Sequence, residues 1–445
     1  MHMTSSNENW ERKDSTESLN NRRVVEAEEN ETRQSSKSLL GAALLYSGTV
    51  IGAGMLALPL ETIEAGFAPS VVALIVCWCF TVTSSLLVLE ATFTATIAKN
   101  SHCVSFLSIA SLSLGFIGRI LTCGLYMFIL WALLVSYIAG GGDILVYTWF
   151  SVVHSGPHHW VASLIFMIGF GLVVFLGSKW CDYLNRFLVG AIILSFSILV
   201  VCGLPKVHYA YLRHQEWLAI WPGAIAVGII AFMAQNLVPV LVSYTQDVLL
   251  VRKAILFGSI LPLVMYIVWE FIVLGIVTFE NGTSKSTEFV TKALSTASGF
   301  PALVNLVATA FSLFSIASSF LGVSLSNVEL YLDFMDALQA RGIFTRVLPV
   351  WRRTIAVIGS LLAPFLFAIF LQNAFVVAME NSGLLGGLSI YGIIPAIVVL
   401  IQRVHKHYPP MPGRLSGGIV SLSLFLFFCV TMILLQLAKI LNLNN

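Results

Sequence analysis

Residues 48–59 read G-T-V-I-G-A-G-M-L-A-L-P and lie inside the first long apolar run of the chain. The glycines and the proline, placed within a membrane-crossing helix, release backbone N–H and C=O groups that lipid cannot satisfy. Protein, water or a bound ligand must satisfy them instead. We interpret the stretch as a broken helix that holds a small charged solute.

The alternative explanation of this stretch is helix packing. Gly48 and Gly52 form a G-x-x-x-G step, and such steps let two membrane helices pack closely without binding anything. A second interrupted segment lies about half a chain later, at residues 231–239, which read A-F-M-A-Q-N-L-V-P. Paired interruptions in corresponding spans are typical of a transporter site, so they favour the solute-binding interpretation.

The composition predicts an all-α polytopic membrane protein. Of its 445 residues, 58% are hydrophobic and 10% are charged. Its apolar segments repeatedly exceed the ~20 residues that cross a bilayer, and they do not alternate in polarity as a β-barrel requires. The sequence shows no catalytic constellation, phosphate-binding loop, metal-ligand spacing or continuous polar pore, which argues against an enzyme, an ATP-driven pump and a channel. Nothing supports a cofactor or nucleic-acid binding.

Hydropathy predicts about eleven membrane spans behind a polar tail. Residues 1–37 hold eight acidic and six basic side chains and are predicted to be a disordered cytoplasmic tail. The transmembrane domain is expected over residues 38–445, with one repeat at about 38–205, a second at about 219–402 and an extra helix at about 417–438. The predicted spans are residues 39–60, 69–95, 115–139, 159–177, 186–205, 219–244, 254–278, 302–330, 353–371, 384–402 and 417–438.

The order of the spans predicts an inverted five-plus-five repeat. The interrupted spans one and six each begin a unit of five spans, and an odd number of spans inverts the second unit. In such folds the half-helix N-termini carry about half a positive charge and face an anionic group, while freed carbonyls accept a cation. An amino acid presents both charges, so a broken helix suits its α-carboxylate and α-amine.

The basic residues predict a cytoplasmic N-terminus. With the tail inside, 19 of the 24 Lys and Arg residues fall in the tail and in the inner loops. The sequence does not identify the membrane. A plasma membrane, a bacterial inner membrane and an organelle envelope such as that of a plastid all stay open.

Several motifs resemble one known family. The run at residues 48–60 is similar to the first-span signature of the hydroxy/aromatic amino acid permease family, particularly its tyrosine-specific branch. Further matching motifs are Ser136-Tyr137-Ile138-Ala139-Gly140, Asn185-Arg186-Phe187-Leu188, Leu261-Pro262-Leu263-Val264 with Tyr266, and Ser319-Phe320-Leu321-Gly322-Val323. The resemblance implies the amino acid, polyamine and organocation superfamily fold and ion-driven import of tyrosine or tryptophan by alternating access. A serine/threonine or other neutral amino acid carrier and an amino acid sensor are the alternatives.

The resemblance also implies candidate substrate-binding residues. Backbone groups of span one would bind the carboxylate and the amine, and span six would face the side chain. These residues are Thr49, Val50, Ile51, Gly52, Ala53 and Gly54 in span one, and Phe232, Met233, Ala234, Gln235 and Asn236 in span six. An unpartnered amide in lipid costs several kcal/mol, so Gln235 and Asn236 are expected to face a cavity. An interhelical hydrogen bond is their alternative role.

Two departures from the family pattern bear on the substrate and the coupling ion. Bacterial members carry glycine and histidine in the sixth span, and residues 231–240 contain neither. Proton-coupled members carry a span-five lysine near the position of Ile192, which takes the place of a sodium ion in related folds. Without it, a sodium site would form between carbonyls of Gly48 to Ile51 and the hydroxyls of Ser318 and Ser319. The expected co-transported ion is a proton or sodium.

Three carboxylates lie within or near the spans. Glu90 matches a family glutamate and is expected to be a gating or structural residue, because it lies too far from the midplane to touch substrate. Glu270 and Glu329 are further candidates for a proton carrier or a gate.

Overall fold

The computed structural model describes residues 39–99, 106–153, 157–277, 294–296, 300–340, 349–371, 374–405 and 410–442. Its regular elements are helices throughout. The predicted tail at residues 1–37 lies outside the described residues. Within the described part, nine helices are long and apolar enough to cross a membrane, or ten if one bent pair counts as a span. The predicted all-α membrane class is confirmed.

The helices overlap the predicted spans, but the nine or ten candidate spans among the described residues are fewer than the eleven predicted, because the half-helices within the predicted sixth span are too short to be counted. The helices are α1 (Leu39–Val50), α2 (Gly54–Thr62), α3 (Phe67–Lys99), α4 (Phe106–Val153), α5 (His159–Leu176), α6 (Ser178–Gly203), α7 (Gly223–Ala231), α8 (Leu237–Thr245), α9 (Val248–Ile276), α10 (Pro301–Ala340), α11 (Pro349–Phe370), α12 (Ala374–Asn381), α13 (Ile394–His405) and α14 (Gly418–Asn442). Wider π-helical turns over Ser382–Ile393 join α12 to α13 into one span. α4 bends at Gly115, where φ is +66°.

The first interruption separates α1 from α2. Residues 51–53 leave the helical path, and the two helix axes differ by 53°. Close approach by other helices requires glycine here, because a Cβ added to Gly54 would lie 2.6 Å from the Cα of Ala231. Pro59, which the sequence analysis grouped with the break, instead lies inside α2. The interruption is therefore made by the glycine-containing segment and not by the proline.

The second interruption separates α7 from α8 at residues 232–236. Each of these helices has nine residues, which is too short to cross a bilayer singly. Pro239 lies in the first turn of α8, where a missing N–H is tolerated. All residues of α2 and α7 are buried, and the two half-helices pack on each other at the centre of the bundle.

A buried ion pair joins α3 to α13. Glu90 of α3 accepts hydrogen bonds from the guanidinium of Arg403 in α13, at 2.8 Å from Nε and 2.6 Å from Nη2. Both side chains are at least nine-tenths buried. Arg403 also donates to the carbonyl of Gly418 at 3.0 Å, which fixes the start of α14. The two-point geometry supports a structural role for Glu90.

We expect Arg403→Met to lower the free energy of unfolding by about 3–5 kcal/mol, because it leaves a buried carboxylate without its cation. Chemical unfolding of the detergent-purified protein measures the loss. The matched control is Arg186→Met, which removes the arginine of an exposed pair with Asp182 and is expected to leave the free energy of unfolding nearly unchanged. Equal losses in the two variants would contradict a stabilising role for the buried pair.

Candidate functional site

A cavity of about 620 Å³ lies where the two interruptions meet. Its wall contains most of the residues that the sequence analysis singled out. From span one these are Gly48, Thr49, Val50, Ile51, Gly52, Ala53 and Gly54; from the second interruption Met233, Ala234 and Asn236; and from α10 Ser318 and Ser319. The fold therefore brings residues from three distant parts of the chain into one site.

Two predicted substrate residues lie behind the wall. Phe232 is 1% exposed, and its ring packs against Tyr266 with 5.0 Å between ring centroids. Gln235 is also 1% exposed, and its Oε1 accepts a hydrogen bond from the backbone N–H of Ala234 at 3.1 Å. The Gln235 amide thus satisfies the interruption itself, whereas its neighbour Asn236 lines the cavity.

α10 supplies the partner for a donor freed by the first interruption. The backbone N–H of Ala53 donates to Ser319 Oγ at 2.9 Å. The hydroxyl of Tyr137, from α4, also hydrogen-bonds Ser319. A Cβ added to Gly52 would lie 2.4 Å from the same Ser319 oxygen, so glycine is required for this contact.

The structure adds six polar wall residues that the sequence analysis did not assign to the site: Tyr137, Asp182, Asn185, Arg186, Ser326 and Tyr391. Tyr391 donates to Asn236 Oδ1 at 2.5 Å, and Asn185 Oδ1 accepts from Ser318 Oγ at 2.6 Å. In the sequence, each of these residues is a polar side chain within or next to an apolar span. That pattern does not show which face of the helix lines the cavity.

The α6 side of the proposed ion site differs from the expectation. Ile192, taken as the position of the family lysine, is fully buried and does not line the cavity. The α6 residue that contacts Ser318 is Asn185, about two helical turns earlier. The Asn185 amide oxygen and the Ser318 hydroxyl therefore lie next to each other in the cavity wall.

The cavity wall combines exposed and buried parts. Leu44, Thr49 and Arg186 are exposed wall residues. The half-helices α2 and α7, which contribute Gly54 and Ala231 to the wall, are buried along their whole length.

Comparison with known proteins identifies the family. A family model described as the tryptophan/tyrosine permease family matches residues 35–436. The chain belongs to this family. It is 29% identical over 409 residues to the tyrosine-specific transport system 2 of Haemophilus influenzae, which covers 89% of this chain and 95% of the relative.

Two further comparisons extend this result. Over 412 residues the permease is 25% identical to glutamine transporter 2 of Aliivibrio fischeri, covering 90% of this chain and 99% of that one. The crystal structure of MhsT in complex with L-phenylalanine matches with a TM-score of 0.54 at 15% identity, covering 89% and 97% of the two chains. That likeness shows a shared fold. The protein is a multi-pass membrane amino acid transporter and not an enzyme.

The three carboxylates of the permease lie in different settings. Glu90 is outside the cavity wall, and its carboxylate forms a salt bridge with Arg403. Glu270 is fully buried, and its Oε2 accepts from Thr62 Oγ1 at 2.7 Å, while its Oε1 has no hydrogen-bond partner among the described residues. Glu329 is exposed. Only Glu270 combines full burial with an unpaired oxygen.

We expect Gly52→Leu to abolish amino acid uptake while membrane insertion is retained, because any side chain at this position displaces the Ser319 hydroxyl from Ala53. Uptake into cells, normalised to the protein in the membrane, measures the effect. The control is Gly41→Leu in the preceding helix α1, where an added Cβ meets nothing within 4 Å. Normal uptake by a well-inserted Gly52→Leu protein would place the substrate elsewhere.

Proposed function

We propose that the protein is a secondary active transporter of an aromatic amino acid, tyrosine or tryptophan, driven by an ion gradient through alternating access. One observation carries the proposal: a cavity of about 620 Å³ lies at the junction of two helix interruptions. Its volume falls within the range of about 300–1,000 Å³ typical of small-molecule sites. Membership of the tryptophan/tyrosine permease family supports the same substrate class.

The backbone at the interruptions offers both charges that an amino acid needs. α2 begins at Gly54, and a helix N-terminus attracts an anionic group such as the α-carboxylate. The carbonyls of Val50 and Ala231, at the ends of α1 and α7, are acceptors for the α-ammonium group. Met233 and Tyr391 of the wall contact the substrate side chain in this proposal, since aromatic rings and thioethers pack well on an aromatic ligand.

We further propose the inverted five-plus-five topology with a cytoplasmic N-terminus. Counting each interrupted pair as one span, α1 to α6 form one unit of five, α7 to α13 form the second, and α14 is the extra helix. Both interruptions then fall on the first span of a unit. The fold shared with MhsT supports this arrangement, as does the excess of basic residues in alternate loops.

A carrier of a neutral amide amino acid is the second candidate. The similarity to the glutamine transporter favours it, and Asn236 and Asn185 provide amides in the cavity wall. Labelled tyrosine, tryptophan, glutamine and serine taken up into proteoliposomes would separate the candidates. We expect tyrosine or tryptophan to be accumulated with the lowest KM; preferential accumulation of glutamine or serine would overturn the aromatic assignment.

The neighbouring amides Gln235 and Asn236 provide a matched test of which residue contacts the substrate side chain. We expect Asn236→Ala to change the ratio of tyrosine to tryptophan uptake, because its side chain lines the cavity. Gln235→Ala is expected to lower uptake of every substrate by a common factor, because its amide holds the N–H of Ala234. Relative kcat/KM values measure both effects. The reverse pattern would show that Gln235 faces the substrate.

The coupling ion is tested by imposing sodium and proton gradients separately. If sodium drives uptake, Ser318→Ala is expected to raise the sodium concentration for half-maximal uptake. Ser197→Ala is the control, because this exposed serine only bonds the carbonyl of Ile193. If protons drive uptake, Glu270→Gln is expected to abolish gradient-driven accumulation and retain exchange. Unchanged coupling in both Ser318→Ala and Glu270→Gln would exclude these two residues as ion-binding groups.

A further inference from the structure

One buried hydroxyl connects the two helix interruptions. Tyr266, in α9, is 0% exposed, and its Oη lies 2.8 Å from the carbonyl oxygen of Val50 and 2.9 Å from that of Ala231. Val50 is the last residue of α1, and Ala231 is the last residue of α7. Both residues line the cavity. The sequence analysis quoted Tyr266 only as part of a motif.

Both carbonyls are acceptors that the interruptions have freed. In a continuous helix each would accept from the N–H four residues later. Among the described backbone hydrogen bonds around residues 51–53 and 232–236, none ends on either of these two oxygens. The tyrosine hydroxyl is their donor in the described part of the chain.

A hydroxyl has a single proton, so it cannot fully satisfy two carbonyls at once. Holding both oxygens within 3 Å of one donor makes the negative ends of two peptide dipoles converge on the buried Tyr266 hydroxyl, next to two residues of the cavity wall. Convergence of like partial charges is unfavourable without a donor between them. The neighbourhood fixes the arrangement: the Phe232 ring packs on the Tyr266 ring, and Gly54 lets the first interruption contact Ala231.

We infer that Tyr266 is a positioning residue whose hydroxyl holds the Val50 and Ala231 carbonyls together as a preorganised acceptor pair for the substrate's ammonium group. The inference rests on the proposed transport function. Each carbonyl has two lone pairs, so an ammonium group and the hydroxyl bind the same oxygen without competing. The contribution is to affinity for the amino group, which every amino acid shares, and it is independent of the side chain.

Tyr266→Phe tests the hydroxyl alone, because it retains the ring that packs on Phe232. We expect KM to rise about fivefold to tenfold for each transported amino acid, with maximal rate changed less than about twofold and selectivity ratios unchanged. The control is Tyr46→Phe, which removes an equally buried hydroxyl that bonds Ser85 outside the cavity wall. A merely structural role would give both variants the same KM shift.

Competing analogues locate the effect on the amino group. Tyrosine methyl ester retains the ammonium group and lacks the carboxylate, whereas 3-(4-hydroxyphenyl)propionate retains the carboxylate and lacks the ammonium group. In Tyr266→Phe the inhibition constant of the ester is expected to rise by the same factor as KM, and that of the propionate to change less than about twofold. Equal shifts for the two analogues overturn the inference, as does a lower KM, which would mean that the hydroxyl competes with the ligand.

Gly54→Ala gives an independent test, because its Cβ would push the first interruption away from Ala231 while Tyr266 stays in place. The same pattern of raised KM and unchanged selectivity is expected. Thermal-shift titration of wild type and Tyr266→Phe with the ester supplies a binding readout that does not need transport, and equal midpoint shifts overturn the inference. Absence of uptake by the wild type overturns the proposed function instead, so the two failures are distinguishable.

Discussion

Lipid cannot satisfy a backbone hydrogen-bonding group, and this constraint governs the centre of the molecule. Two spans are interrupted, and each interruption frees donors and acceptors. The Ala53 N–H donates to Ser319 of α10, and the Val50 and Ala231 carbonyls accept from Tyr266 of α9. The Ala234 N–H donates to the adjacent Gln235 side chain. Because most of these partners come from other helices, the interruptions are stable only within the assembled bundle.

Close packing links the two interruptions as well as filling the space between them. Gly54 lies against Ala231, with no room for even a Cβ. The half-helices α2 and α7 are buried along their whole length. This contact joins the two interruptions directly at the cavity wall.

Hydropathy and motifs predicted the features that depend on local sequence. The apolar segments predicted the spans, and residues 48–59 and 231–239 predicted both interruptions and the part of the cavity wall that these residues form. The failures fall where the chain leaves regular structure or where a helix face must be chosen. Gln235 and Asn236 give the same signal, yet only Asn236 lines the cavity. Ile192 was matched to the position of the family lysine, and the sequence did not show that Asn185 of the same helix contacts Ser318. Helical periodicity does not extend across an interruption, and family position alone does not define which face of α6 meets the site.

The sequence by itself determined the membrane class and the family, because apolar length and a glycine-rich signature are read within a few tens of residues. Only the tertiary structure decided which polar groups meet. Tyr266 lies 216 residues from Val50, and Arg403 lies 313 residues from Glu90. Such pairs form because an unpaired polar group is costly in an apolar interior, but its partner is chosen by how distant helices pack. Local sequence encodes the need for a partner, and the packed bundle supplies it.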